Sequence, residues 1–161
     1  MKRKKTMAGL ALAGIVLIAL AIPFTAILRN RVPLFSSPGF FSRIRTYLTT
    51  NTADTREAER FPELAPARIQ GHLPETRERV LQALRELEWE LEVSPEKELE
   101  LHAVVTTPLM GFKDDVRINL EPIDATGTLV NIRSQSRIGK GDFGTNAGHI
   151  LKLKTALESL H

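Results

Sequence analysis

From Trp89 to Arg133 apolar residues fall at every second position, in four successive runs. Trp89, Leu91 and Val93 alternate with Glu90 and Glu92. After "SPEK", Leu99, Leu101, Ala103 and Val105 alternate with Glu100, His102, Val104 and Thr106. Val116, Ile118 and Leu120 alternate with Asp115, Arg117, Asn119 and Glu121. After "IDATG", Val130 and Ile132 alternate with Asn131 and Arg133. Successive side chains of a strand point to opposite faces, so each run reads as a strand with one buried face. Four such strands joined by short turns predict an antiparallel meander. Its apolar face needs cover.

The cover is written on either side. In "PETRERVLQALRELE", Val80, Leu81, Leu84 and Leu87 recur at helical spacing behind Pro74, which suits a first turn. In "DFGTNAGHILKLKTALESLH", Phe143, Ala147, Ile150, Leu151, Leu157 and Leu160 mark one helical face. The expected domain, residues 73–161, is α+β and two-layered: a four-stranded antiparallel meander with two helices on one face.

Residues 29–72 read differently. Pro33, Pro38, Gly39 and the prolines of "FPELAPARIQGHLP" argue against regular structure, because proline fixes φ and withholds a donor. An extended tether is expected. Phe40, Phe41, Tyr47, Phe61, Leu64 and Ile69 are too many apolar residues for a solvated linker, so the tether should lie along the domain or a membrane surface.

The first 28 residues are of another kind. Lys2, Arg3, Lys4 and Lys5 precede an uncharged run of 23 residues from Thr6 to Leu28. About 20 apolar residues span a hydrocarbon core. The expectation is a transmembrane helix that anchors the chain in the bilayer through residues 6–28. A cleaved signal peptide competes, since Ala19-Leu20-Ala21 resembles a cleavage site, yet the apolar run continues past it; a buried helix is the third reading. Arg29, Arg31, Arg43 and Arg45 follow the run, so the count of flanking cations is balanced. The short cationic leader still resembles an export signal, which places the N-terminus in the cytoplasm and the domain outside it.

Four of the 22 cations lie in that leader, leaving 18 against 19 acidic residues. The basic balance belongs to the leader, and a domain without a basic footprint argues against nucleic acid. The chain has no cysteine, which excludes disulfides and thiolate chemistry. His72, His102, His149 and His161 show no metal-ligand spacing, and no metal or cofactor is expected.

Three linked motifs carry a resemblance. Gly111-Phe112-x-Asp114-Asp115-Val116 starts one strand, Arg133-Ser134-x-Ser136-Arg137-x-Gly139 ends another, and Asp142-x-Gly144-x-Asn146 opens the last helix. In this order they resemble the bacterial and plastid family known as domain of unknown function 1499, over roughly residues 73–160. The resemblance implies a small domain with membrane or envelope association, and no reaction. The chain departs from the family's pattern at "FSSPGFF", where many members carry a Pro-Asn-Cys-type segment, and at His149, where members often have Arg.

The candidate sites follow from the alternation. Asp114 and Asp115 are adjacent on a strand, so they cannot jointly embrace one substrate as paired glycosidase carboxylates do. Asp115 belongs with the outer face. Asp114 belongs at the rim of the core side, where it could satisfy N–H groups of the preceding turn. Arg117, Arg133 and Arg137 share the outer face with Glu90, Glu92 and Glu100. That face is either a set of cross-strand charge pairs or a polar platform for a protein or an anionic ligand. Ser134 and Ser136 point inward, and Asn146 joins the candidates through its motif. "RIGKGDFGTN" lacks the spacing of a phosphate loop, and Asp142 is expected as the N-cap of the last helix. Gly144 and Gly148 offer a bare stripe for close packing. No catalytic residue is assigned. The expected role is a non-enzymatic binding or assembly module of the envelope. The alternatives are a hydrolase or transferase using Asp114 with Arg133, Ser134 or Ser136, and a lipid-binding domain with an apolar slot between helices and sheet.

Overall fold

The computed structural model describes residues 14, 17, 21, 24–92, 99–108, 111–124 and 126–160. Its core is one antiparallel sheet of six strands: β1 (Thr52–Asp54), β2 (Ala67–Gln70), β3 (Glu90–Glu92), β4 (Glu100–Thr106), β5 (Lys113–Pro122) and β6 (Gly127–Ser136). The expected meander is β3-β4-β5-β6, and it pairs in that order. Alternation is clearest in β5 and β6, where Val116, Ile118, Leu120, Val130 and Ile132 are buried.

Two strands were not expected. The far edge of β6 is shared by β1, which pairs Thr52 with Gln135 and Asp54 with Arg133, and by β2, which pairs Ala67 with Val130 and Gln70 with Gly127. Between these partners Ile132 would have a buried N–H without a strand to receive it. Thr55 Oγ1 accepts that hydrogen at 3.1 Å. The sheet therefore has six strands rather than four, because a ten-residue edge strand recruits short segments from the preceding chain.

Residues 29–72 are accordingly not an extended tether. Helix α1 (Phe40–Thr49) and both new strands lie within them. Arg43 holds this region in place and is 0% exposed. Its Nη1 and Nη2 grip Glu63 Oε1 and Oε2 at 2.6 and 2.9 Å, and it also donates to Tyr47 Oη and to the carbonyls of Ser36 and Ser37. Phe61 lies against the guanidinium at 5.1 Å.

Helix α2 (Leu73–Glu86) has Pro74 in its first turn, and Glu75 accepts from the N–H of His72 at 3.2 Å. Helix α3 (Thr145–Ser159) packs on β6 and on α2. Val80, Ala83 and Leu84 of α2 and Ile150, Leu153 and Leu157 of α3 meet the buried side chains of the sheet in one core. That packing fills the space expected for a lipid slot. The glycine stripe works as expected: a Cβ on Gly144 would stand 3.2 Å from Val32, and one on Gly148 would stand 3.1 Å from the carbonyl of Asn30. Among the described residues no helix is long and apolar enough to cross a membrane. Most of the expected span, residues 6–28, lies outside the described residues, as does all of "SPEK".

Candidate functional site

The pleat separates the candidate residues into two groups. On the inner side β5 supplies Asp114, β6 supplies Ser134 and Ser136, and α3 supplies Asn146 together with His149. All five are buried. Ser134 Oγ donates to Asn146 Oδ1 at 2.6 Å and lies 3.3 Å from His149 Nδ1. Asn146 Nδ2 faces three acceptors: Ser136 Oγ at 2.9 Å, the Asn51 carbonyl at 2.9 Å and Asp142 Oδ2 at 2.6 Å. Ser136 in turn hydrogen-bonds to the Asp114 carboxylate, its cross-strand partner. The other oxygen of Asp114, Oδ2, has no hydrogen bond and stands 3.8 Å from His149 Nδ1. The Trp89 ring closes on His149 edge-on, with centroids 5.5 Å apart.

Serine, histidine and aspartate in one cluster invite comparison with a catalytic triad. The geometry does not support one. Ser134 and Asp114 both face Nδ1, whereas a triad needs the nucleophile on one ring nitrogen and the carboxylate on the other. Burial, followed by the charge of Lys152, pushes the His149 pKa down to about 3, so the ring is neutral and a weak base near neutrality. The His149–Asp114 contact is thus not an ion pair. Burial also raises the pKa of Asp114, against the hydrogen bond from Ser136. Arg133 stands on the opposite face, so the proposed hydrolase set of Asp114, Arg133, Ser134 and Ser136 is not assembled. Among the described residues of the preceding turn, the N–H groups of Gly111 and Phe112 go to Thr107 rather than to Asp114.

Asp142 performs its expected task from a different position. The N-cap residue is Gly144, in a left-handed conformation with no side chain to offer. Asp142, two residues earlier, accepts the N–H of Gly144 at Oδ1 (2.8 Å) and that of Asn146 at Oδ2 (3.1 Å). Burial raises its pKa, opposed by the donors of Asn146 and Gly144.

The outer group lies on β3, β4, β5 and β6 and on Arg137, the residue after β6. Arg137 binds Asp115 through Nε at 3.0 Å and Nη2 at 2.7 Å, and reaches Glu92 at 3.3 Å. His102 joins the same two carboxylates, Nε2 to Asp115 at 2.9 Å and Nδ1 to Glu92 at 3.2 Å. Arg137, then His102, hold the Asp115 carboxyl below the usual carboxylate range despite partial burial. This half of the face is internally paired, as the charge-pair reading expects.

The other half is paired less fully. Arg117 and Arg133 are direct cross-strand partners on β5 and β6. Like charges opposite one another destabilise a strand pair. Arg133 Nη1 reaches Asp54 Oδ2 at 3.3 Å, but Asp54 is already bound by Arg56 at 2.5 and 3.0 Å. Among the described residues no carboxylate pairs with Arg117. The two guanidinium groups line a shallow dent with Gln135 and Asp115. Among the described residues no cluster of His, Asp or Glu has the grouping of a metal site.

Sequence reasoning missed Arg43, Asn51, Asp54 and the role of His149. The helical spacing of Phe40, Ile44 and Tyr47 was the available signal for the first of these, since it puts Arg43 on the inward side of a helix.

No curated protein matches this chain. Among solved structures, the adenylate sensor from AMP-activated protein kinase, in complex with 5-aminoimidazole-4-carboxamide 1-beta-D-ribofuranotide, is similar over 58% of this chain and 94% of its own. The identity is 14% and the TM-score 0.49, a likeness that says nothing of ligands. The model of a family described as "Protein of unknown function (DUF1499)" matches residues 36–157, so that it takes in α1, β1 and β2 as well as the three motifs, and the chain belongs to that family.

Proposed function

We propose that this protein is a membrane-anchored binding or assembly module of the cell envelope, held in the bilayer through residues 6–28 with its N-terminus inside and its domain outside. The working surface is the outer sheet face, where Arg117 and Arg133 together bind a carboxylate-bearing segment of a protein partner. One observation carries the reading: two guanidinium groups are direct cross-strand partners, and among the described residues the carboxylate that Arg133 contacts, Asp54, is already engaged by Arg56. An incoming carboxylate relieves their repulsion and accepts from both, as arginine forks favour. Gln135 adds an amide donor in the same dent. Arg137 is excluded from this role by its bonds to Asp115 and Glu92.

The test is crosslinking of the full chain in intact membranes, comparing wild type, Arg117→Gln with Arg133→Gln, and Arg137→Gln, with melting temperatures measured alongside. The expected result is loss of a crosslinked partner in the double variant at a melting temperature no lower than that of wild type. A partner retained by the double variant, or lost only in Arg137→Gln, overturns the assignment.

A further inference from the structure

Residues 24–29 are helical, and that helix ends at a fixed place. The N–H of Asn30 closes onto the Ala26 carbonyl at 3.1 Å, and Arg31 takes a left-handed φ of 53° that turns the chain out of the helix. The chain is then bolted to the domain. Asn30 Nδ2 donates to the Phe143 carbonyl at 3.0 Å and contacts Thr145 Oγ1 at 3.1 Å, at the start of α3. Ile27 and Val32 are buried in the core, and Gly148 lets the backbone of residue 30 approach α3. The apolar run Thr6–Leu28 therefore ends against the folded domain with no slack. If the run lies in a bilayer, it fixes which end of the domain meets the headgroups.

Val32 and Tyr47 both stand against Gly144, so the segment between them runs beside this same end of α3, and it has matching chemistry. Phe35 stacks on Phe40 at 5.5 Å, and Phe40 meets Phe41 edge-on at 5.5 Å. Phe35 is 84% exposed and Phe41 86%, so the rings form a bare apolar knob. Arg43 secures its base through the Ser36 and Ser37 carbonyls. Arg29 and Arg31, both exposed, lie near enough to Lys152 to depress its pKa, behind the effect of burial. Apolar insertion and attraction of cations to anionic lipid reinforce one another in membrane contacts.

We infer that this end of the domain docks on the surface of an anionic phospholipid bilayer, with Phe35, Phe40 and Phe41 in the interfacial layer and Arg29, Arg31 and Lys152 facing the phosphates. The inference rests on the reading of residues 6–28 as a membrane anchor. It adds a second contact that sets the orientation of the domain, and turns one chosen surface toward lipid.

The absence of cysteine makes the test direct. Phe41→Cys, and Glu121→Cys at the exposed end of β5, each take a single nitroxide label. The full-length variants are reconstituted in phosphatidylcholine vesicles with and without phosphatidylglycerol. Relaxation by oxygen, which partitions into lipid, is compared with relaxation by a nickel chelate, which stays in water. The expected oxygen-to-nickel ratio is several-fold higher at position 41 than at 121, and rises with phosphatidylglycerol. Equal ratios at the two positions overturn the docking. So does shielding of position 41 from both reagents, the mark of a second copy or another protein. Equal depth in both lipid compositions removes the cations from the contact. Flotation after an alkaline wash separates the two readings: protein that leaves the vesicles overturns the anchor and the docking with it, whereas vesicle-bound protein with position 41 in water overturns the docking alone.

Discussion

Oδ2 of Asp114 stands 3.8 Å from Nδ1 of His149, and neither group is charged by the other. The His149 pKa lies at about 3, below the unfolded value of 6.5, because burial disfavours the imidazolium. Between those limits the unfolded chain binds a proton that the folded chain refuses, so stability falls as pH falls. Asp114 and Asp142 act oppositely. Burial raises their pKa values, so the folded chain takes their protons before the unfolded chain does, and acidification relieves buried charge. Wild-type stability should decline on acidification below about pH 6.5, with a slope from His149 of up to about 1.4 kcal/mol per pH unit. His149→Gln should lose that slope and be less stable at neutral pH. Thermal melts across the window decide it, and an unchanged slope in the variant would show that His149 is not the group responsible.

Asp142 should not tolerate loss of either oxygen. Oδ1 accepts from Gly144 and Oδ2 accepts twice from Asn146. Asparagine would turn an amide N–H₂ toward a donor. Asp142→Asn is expected to cost about 1–2 kcal/mol and Asp142→Ala about 2–3 kcal/mol, since buried donors are left unpaired. A simple N-cap would predict a nearly silent Asp142→Asn. Urea unfolding separates the two, and coincident curves for wild type and Asp142→Asn would reduce Asp142 to an ordinary cap.

The sequence was most legible where one physical rule dominates. Period two placed Ser134 and Ser136 inside and Arg117, Arg133 and Arg137 outside, and both faces follow that division. It failed where strands are too short to show a period. β1 has three residues and β2 four, set among prolines, and both exist because β6 needs partners along its open edge. Their signal was the apolar excess, since Tyr47, Phe61, Leu64 and Ile69 are all buried. The site was legible as a list of residues. That Arg117 meets Arg133 across the strands, with Asp54 shared between Arg133 and Arg56, depends on register and on a strand the pattern did not reveal.

Arg43 should be the most sensitive charged residue in the N-terminal half of the chain. It is fully buried, and Arg43→Ala leaves the Glu63 carboxylate and the Ser36 and Ser37 carbonyls without their donor. Breaking such a pair costs about 3–5 kcal/mol. Lysine cannot reproduce the two-pronged grip, so Arg43→Lys should rescue little. Arg43→Met combined with Glu63→Gln should cost less than the sum of the two single changes, because no uncompensated charge remains. Chemical denaturation of all four proteins measures the coupling, and simple additivity would mean the pair contributes nothing beyond packing.

The loop before α3 offers the sharpest steric test. Asp142 N–H donates to the Thr50 carbonyl at 3.1 Å and Phe143 N–H to the Tyr47 carbonyl at 2.9 Å, so the loop satisfies groups left open where α1 ends. To come this close it needs glycine at 141. A Cβ there would lie 2.3 Å from the Leu48 carbonyl oxygen and 2.6 Å from its carbon, and backbone cannot rotate aside. Gly139, two residues earlier, has space around it, with nothing nearer than 3.8 Å, but a φ of +92°. Gly141→Ala should therefore cost about 1–3 kcal/mol through overpacking. Gly139→Ala should cost about 1 kcal/mol through backbone strain alone. Hydrogen exchange distinguishes the mechanisms: the amides of Asp142 and Phe143 should exchange faster in Gly141→Ala and remain protected in Gly139→Ala. Protection unchanged in both would mean that α1 and the loop move together, and that the contact at Leu48 is not what seats this loop.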